Sequence, residues 1–178
     1  MTGSEVDQVR FCLVRLDDRL LHGQVVVNWV RSLWPQRIAI VAEDHTGSLE
    51  GRAILYAVAP EGVRLWVGSV AEAPEALLRG DTPPATTVVL LPSPTVVIAL
   101  YDAGVRYAAL NLGCLGQASG RVRVSPQISL SPEEAEALQY LASLGVVVTA
   151  QALPGDAPIA LDALVRRLTR SRGRSVSA

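Results

Sequence analysis

One short stretch, Asp17-Asp18-Arg19-Leu20-Leu21-His22-Gly23, holds two carboxylates, a guanidinium, an imidazole and a glycine. A structural turn uses the glycine and one aspartate; the other three polar residues are surplus to it. Histidine is the side chain that titrates nearest neutrality, so at pH 7 it offers a free ring nitrogen as a nucleophile. Arg19 could grip phosphate oxygens bidentately, where a lysine would act only as a point charge. Asp17 or Asp18 could accept a hydrogen bond from the second ring nitrogen or anchor Arg19. Phosphoryl transfer asks mainly for positioning and charge stabilisation, so this set suffices without a metal or cofactor. The same residues also have an ordinary use: Asp17 capping a turn, Asp18 and Arg19 pairing at the surface, His22 opening a helix.

The elements around the stretch put it where ligands bind in open α/β folds. An apolar run, Phe11 to Leu16, reads as a buried strand, and Val25 to Trp34 reads as a helix that Pro35 stops. The turn between a strand and a helix lies at the carboxyl edge of a parallel sheet, where open α/β folds bind ligands. The helix amino terminus there adds unpaired N–H groups and partial positive charge, both suited to a phosphate. Downstream the pattern alternates. Strands are expected at Arg37 to Ala42, Arg64 to Gly68, Thr86 to Leu91, Ala108 to Leu112 and Val146 to Ala150. A sixth, interrupted strand is expected across Arg121 to Val124 and Gln127 to Leu130. Helices are expected at Leu49 to Ala59, Ser69 to Leu78, Thr95 to Ala103 and, capped by Ser131, as far as Leu144. A last short one follows Pro158. The fold expected is a single-domain α/β structure: a mostly parallel seven-stranded sheet with helices on both faces. Residues 1–8 read as a polar arm, 9–165 as the domain and 166–178 as a disordered tail rich in Arg and Ser.

Composition narrows the function classes. A chain of 178 residues suits one domain, and 49% hydrophobic residues with one Phe give an aliphatic core. A formal charge of −1 argues against nucleic acid or an anionic membrane as partner. Cys12 and Cys114 have neither metal-ligand nor disulfide spacing and suit a reducing compartment. No apolar run is long enough to span a membrane, and Met1 to Gln8 does not read as a signal peptide. The expected location is therefore cytoplasmic.

Asp17-Asp18-Arg19-Leu20-Leu21-His22-Gly23-Gln24-Val25, followed by Trp29, resembles the signature of the IIB subunits of the mannose/fructose/sorbose family of the sugar phosphotransferase system. Ala59-Pro60-Glu61-Gly62-Val63, Val67 to Ala73, Ala103-Gly104-Val105, Leu110-Asn111-Leu112-Gly113 and Ile128 to Ala137 continue the likeness, which runs from about Val9 to Leu164. The resemblance implies the same seven-stranded fold and a phosphocarrier. His22 would take a phosphoryl group at Nδ1 from a phosphohistidine on a IIA partner and pass it to a sugar held by the membrane IIC/IID pair. Arg19 would neutralise the phosphate, Asp17 would orient the ring or Arg19, and the Gly23 and Gln24 amides would cradle oxygen atoms. No cofactor or metal is implied; association with the permease would be peripheral, and a homo-oligomer is possible.

Weaker candidates share the sheet edge. Asp18, Ser69, Ser93 and Asn111 end or follow strands; the last three could donate to phosphate or sugar and could equally serve as helix caps. His45, beside Glu43 and Asp44, could join His22 and an acid in a metal site, although an exposed loop position is its ordinary reading. Trp29, Trp34 and Trp66 suit core or interface better than sugar stacking. Two loops depart from the family pattern, Ala42 to Ser48 and Gly113-Cys114-Leu115-Gly116. Three functions fit the sequence: a sugar-phosphorylating transport subunit, a phosphorylation-dependent regulator without its own permease, and an anion-binding module without chemistry.

Overall fold

Aliphatic runs build the sheet. In the computed structural model, which describes residues 8–42 and 49–175, β2 (Arg37–Val41) and β4 (Thr87–Leu91) are buried along their whole length. That is the pattern of parallel strands covered on both faces. With β1 (Leu13–Asp17), β3 (Arg64–Gly68), β5 (Ala109–Cys114), β8 (Val147–Ala150) and β9 (Ile159–Ala160) they form a seven-stranded sheet in the order β3-β2-β4-β1-β5-β8-β9. All neighbours pair in parallel except β8 and β9. β1 is thus central, flanked by β4 and β5, and its carboxyl end opens where the strand order reverses.

The expected architecture is present, with two changes in membership. The segment read as an interrupted sixth strand instead makes a separate antiparallel pair, β6 (Val122–Arg123) with β7 (Ser129–Leu130). The seventh strand of the main sheet is β9, too short at two residues to give a periodic signal. The tail expected to be disordered from Arg166 is helical as far as Ser175, in a helix that starts at Leu161. Leu164 and Leu168, one turn apart, are buried there, and the Arg167 guanidinium donates to the Val124 carbonyl. Apolar residues at helical spacing outweigh the surrounding Arg and Ser. The amino-terminal arm, apart from Gln8, and the loop carrying His45 lie outside the described residues.

Side chains alternate across β1. Val14 and Leu16 face one layer, packed with α3 (Ala73–Leu78), α4 (Pro94–Asp102), α5 (Pro132–Ser143) and α6 (Leu161–Ser175). Leu13, Arg15 and Asp17 face the other, where α1 (Val25–Val30 with Arg31–Leu33) and α2 (Leu49–Val58) lie. α1 is a π-helical stretch, Val25–Val30, running on into an α-helical turn, Arg31–Leu33. It buries Val25, Trp29 and Val30 against Ile38, Ile40, Val88 and Leu90. Beyond α1, among the described residues, a cavity of about 540 Å³ on this second face is walled by Trp29, Asn111, Val147 and Thr149.

Candidate functional site

The site begins with an arginine inside the sheet. Arg15, at the middle of β1, is 1% exposed. Its Nε donates to Asp17 Oδ2 at 3.1 Å, and Nη2 pairs with the same oxygen at 3.0 Å. Nη1 donates to Asn111 Oδ1 at 2.6 Å and to the Gln151 carbonyl at 3.0 Å. Strand register explains the first of these partners, because Arg15 lies opposite Asn111. The guanidinium also lies against the Trp29 ring, 5.1 Å from its centroid, and Trp29 Nε1 donates to the Ala152 carbonyl at 2.9 Å. Burial lowers the guanidinium from its usual range, and the Asp17 carboxylate works against that shift.

Asp17 closes β1 and is fully buried. Its Oδ1 accepts the Arg19 backbone N–H at 3.2 Å, which fixes the turn. Both its oxygens lie 3.3 Å from His22 Nε2. A carboxylate paired with arginine can only accept, so Nε2 carries the hydrogen and donates it. The turn is tight: the Leu20 N–H donates to the Asp17 carbonyl at 2.9 Å, and Leu20 takes a left-handed φ of 53°. Such backbone is unfavourable for leucine, and burial of Leu20 and Leu21 in the layer beneath α1 compensates. The result is a His22 side chain 11% exposed at the helix entrance. Among the described residues nothing bonds His22 Nδ1.

Besides the ring, the turn supplies one cation and the N–H donors that open the helix. Arg19 is exposed, and no described carboxylate pairs with its guanidinium. Gly23 and Gln24 open the helix ahead of its first donor, the Val26 N–H that bonds the His22 carbonyl at 3.0 Å, so their own N–H groups have no acceptor within the helix. The space beside Gly23 Cα is open. Asp17 thus holds both the His22 ring and the Arg19 backbone N–H, meeting Arg19 through its backbone rather than its guanidinium, and Gly23 and Gln24 follow at the helix start.

The weaker candidates separate. Asn111 is in the cluster, as the acceptor for Arg15 rather than as a donor to a ligand. The Asp18 carboxylate accepts the Gly116 N–H at 2.6 Å, and its own N–H donates to the Cys114 carbonyl at 3.0 Å, so it pins the β5 exit loop to the turn. Ser93 accepts the Val96 N–H as the cap of α4. Ser69 sits beyond edge strand β3, where its hydroxyl donates to Glu72 at 2.7 Å. Trp66 packs against the core and Trp34 is exposed at the end of α1. Asp17, Asp18 and Cys114 bring ligand-type atoms within 4.8 Å of one another. Both carboxylates are already engaged, and burial, then Asp18 and Asp17, holds the Cys114 thiol above its usual range, so the trio is poorly suited to a cation.

Arg15, Trp29 as its stacking partner, and the Gln151 and Ala152 carbonyls were not expected from sequence. The available signal was Arg15 itself, a charge in the middle of the apolar run that becomes the central strand. The two carbonyls carry no sequence signal.

This arrangement has relatives. The family described as PTS system sorbose subfamily IIB component matches residues 11–174. The chain is similar to the fructose-specific EIIB component of Bacillus subtilis (strain 168), with 26% identity over 158 residues, 89% of this chain and 97% of that protein. It is 30% identical over 148 residues to the sorbose-specific EIIB component of Klebsiella pneumoniae, covering 83% of this chain and 90% of that one. The crystal structure of the IIBSor domain of the sorbose permease from Klebsiella pneumoniae superposes with a TM-score of 0.79 at 29% identity, over 89% of this chain and 98% of that domain. With the family matched over residues 11–174 and the fold shared with the sorbose-permease IIB domain, the chain belongs to the sorbose-subfamily IIB components of the sugar phosphotransferase system.

Proposed function

We propose that this protein is a phosphocarrier whose acceptor is His22 Nδ1, loaded from a phosphohistidine on a IIA partner and discharged to a sugar held by membrane IIC/IID subunits. The observation that carries this reading is the Asp17 grip on His22 Nε2, which leaves the nitrogen nearer the backbone for phosphorus. In the loading step the Nδ1 lone pair attacks phosphorus while the donor's P–N bond breaks and its electron pair returns to the donor imidazole. The product carries a proton on Nε2 and positive charge in its ring, which Asp17 stabilises. In the discharge step a sugar hydroxyl oxygen attacks phosphorus and the P–Nδ1 bond breaks. The hydroxyl proton goes to a base beside the sugar. Arg19 and the Gly23 and Gln24 amides meet the charge on the equatorial oxygens in both steps. No described helix is long and apolar enough to cross a membrane, in keeping with a carrier that works at the cytoplasmic face of its permease.

The test is transfer of labelled phosphate from a phosphorylated IIA protein to the wild type, to His22→Ala and to His22→Gln. Acid-labile, alkali-stable label on the wild type and none on either variant is expected. An unlabelled wild type with a donor that labels other IIB proteins, or label retained by both variants, would overturn the reading.

A further inference from the structure

We propose that Gly113 and Trp29 are positioning residues for phosphoryl transfer, the floor and roof of a slot that holds the Arg15 guanidinium against Asp17 and so fixes which nitrogen His22 presents. The proposal rests on the reading of His22 as the phosphate carrier and assigns work to two residues outside the β1 turn.

The floor is the more telling wall. Leu16 pairs with Leu112, but the next residue, Asp17, pairs with Cys114, so Gly113 is the extra residue of a bulge in β5. Bulges re-aim side chains beside functional sites. The φ of Gly113 is not in the left-handed region, so its backbone does not call for glycine. Space does: a methyl group there would fall on Cζ, Nη2 and Nε of Arg15, well inside van der Waals contact. Glycine at this position is thus explained by the guanidinium that lies across it. The roof comes from the helix packed on the same face of the sheet, with the Trp29 ring over the guanidinium. Its indole N–H is bonded to the Ala152 carbonyl, next to the Gln151 carbonyl that accepts from Arg15. An arginine side chain has several rotatable bonds; confined on two sides, it is left with one orientation, and the Asp17 oxygens inherit it.

The experiment uses the full chain in a His45→Gln background, so that His22 is the only histidine. Gly113→Ala, Trp29→Leu and Trp29→Phe are made singly, and Gly113→Ala also with Arg15→Met. Circular dichroism and melting temperature report folding. Phosphoramidate then phosphorylates the imidazole without any protein donor, and NMR gives the ratio of Nδ1 to Nε2 product; transfer from phosphorylated IIA is measured in parallel. The wild type is expected to be modified mainly at Nδ1. Folded Gly113→Ala and Trp29→Leu should lose that preference and fall at least tenfold in transfer rate, with Trp29→Phe close to wild type. Gly113→Ala should add nothing once Arg15 is Met. Wild-type isomer ratios in folded Gly113→Ala and Trp29→Leu, a wild type modified mainly at Nε2, or independent effects of Gly113→Ala and Arg15→Met would each overturn the slot. If Gly113→Ala does not fold, the Trp29 pair decides. A wild type that IIA cannot label defeats the carrier reading but leaves the isomer ratio to judge the slot.

Discussion

Asp17 and Arg19 are two residues apart and carry opposite charges, yet their environments assign them different consequences. Asp17 is fully buried and is the ion-pair partner of an arginine that is itself 1% exposed. Asp17→Asn keeps the shape but leaves a buried cation without its counter-charge, a change that costs about 3 kcal/mol or more. It should lower the urea midpoint and, because His22 loses its acceptor, reduce phosphoryl transfer as well. Arg19 is exposed and unpaired among the described residues. Arg19→Ala should leave the urea midpoint where it is and lower transfer roughly 100-fold, the usual loss when one charge-stabilising donor is removed from a transition state. Urea titration beside transfer kinetics separates the two. An Arg19→Ala protein with normal transfer would remove Arg19 from the phosphate site, and an Asp17→Asn protein of undiminished stability would mean that Arg15 does not depend on the pair. The turn that carries both residues was readable in the sequence because its polar residues exceed what a turn needs. Arg15 was not, because the strand assignment rested on its apolar neighbours and gave the charge among them no task.

Among the elements, the longer strands and the capped helices match their sequence reading, and the two-residue strands depart from it in sheet membership. Ser131-Pro132-Glu133-Glu134 reads as a helix start and is one: the Ser131 hydroxyl accepts the Glu134 N–H at 3.2 Å, and the Glu134 carboxylate accepts the Ser131 N–H at 3.0 Å. The same carboxylate takes three bonds from the Arg121 guanidinium, so the cap also anchors the segment that leads into the β6–β7 pair. Ser131→Ala should therefore cost about 1 kcal/mol, seen as a lower urea midpoint, with Ser131→Asp close to wild type. Equal losses in both variants would mean that the hydroxyl is not acting as a cap. β6 and β7 fall within the segment read as an interrupted strand, but their pairing with each other, and β9, were beyond the sequence for a physical reason. Two-residue strands have no period, and whether a segment joins the main sheet or folds on itself is decided by partners far along the chain. The bulge at Gly113 was hidden likewise, since Leu110-Asn111-Leu112-Gly113 reads as an ordinary strand end until β1 is laid beside it.

At the scale of the whole molecule, the larger of the two buried layers among the described residues holds a group that ties stability to pH. Tyr107, at 1% exposure, precedes β5 and reaches across to α4, where its hydroxyl donates to the Val97 carbonyl at 2.9 Å and its ring meets Tyr101 edge-on at 5.4 Å. Burial, then the nearby Tyr101 and Asp102, pushes the phenol far above its usual 10.0. Burial likewise raises the Cys12 and Cys114 thiols above their usual 9.0. A raised acid remains neutral in the folded chain while its unfolded counterpart ionises. The contribution of each group is complete below its unfolded pKa and is lost as pH climbs from there through the folded value. Stability should therefore be level between pH 7 and 8 and begin to fall near pH 9 as the thiols ionise in the unfolded chain. Above pH 10 the decline should steepen, with Tyr107 adding up to about 1.4 kcal/mol per pH unit. Tyr107→Phe should cost about 1 kcal/mol at pH 7 for the lost hydrogen bond and flatten the decline above pH 10. Urea midpoints measured from pH 7 to 11 decide the matter. If the variant declines as steeply as the wild type, the alkaline loss belongs to other groups and the buried phenol is not the link between this core and pH.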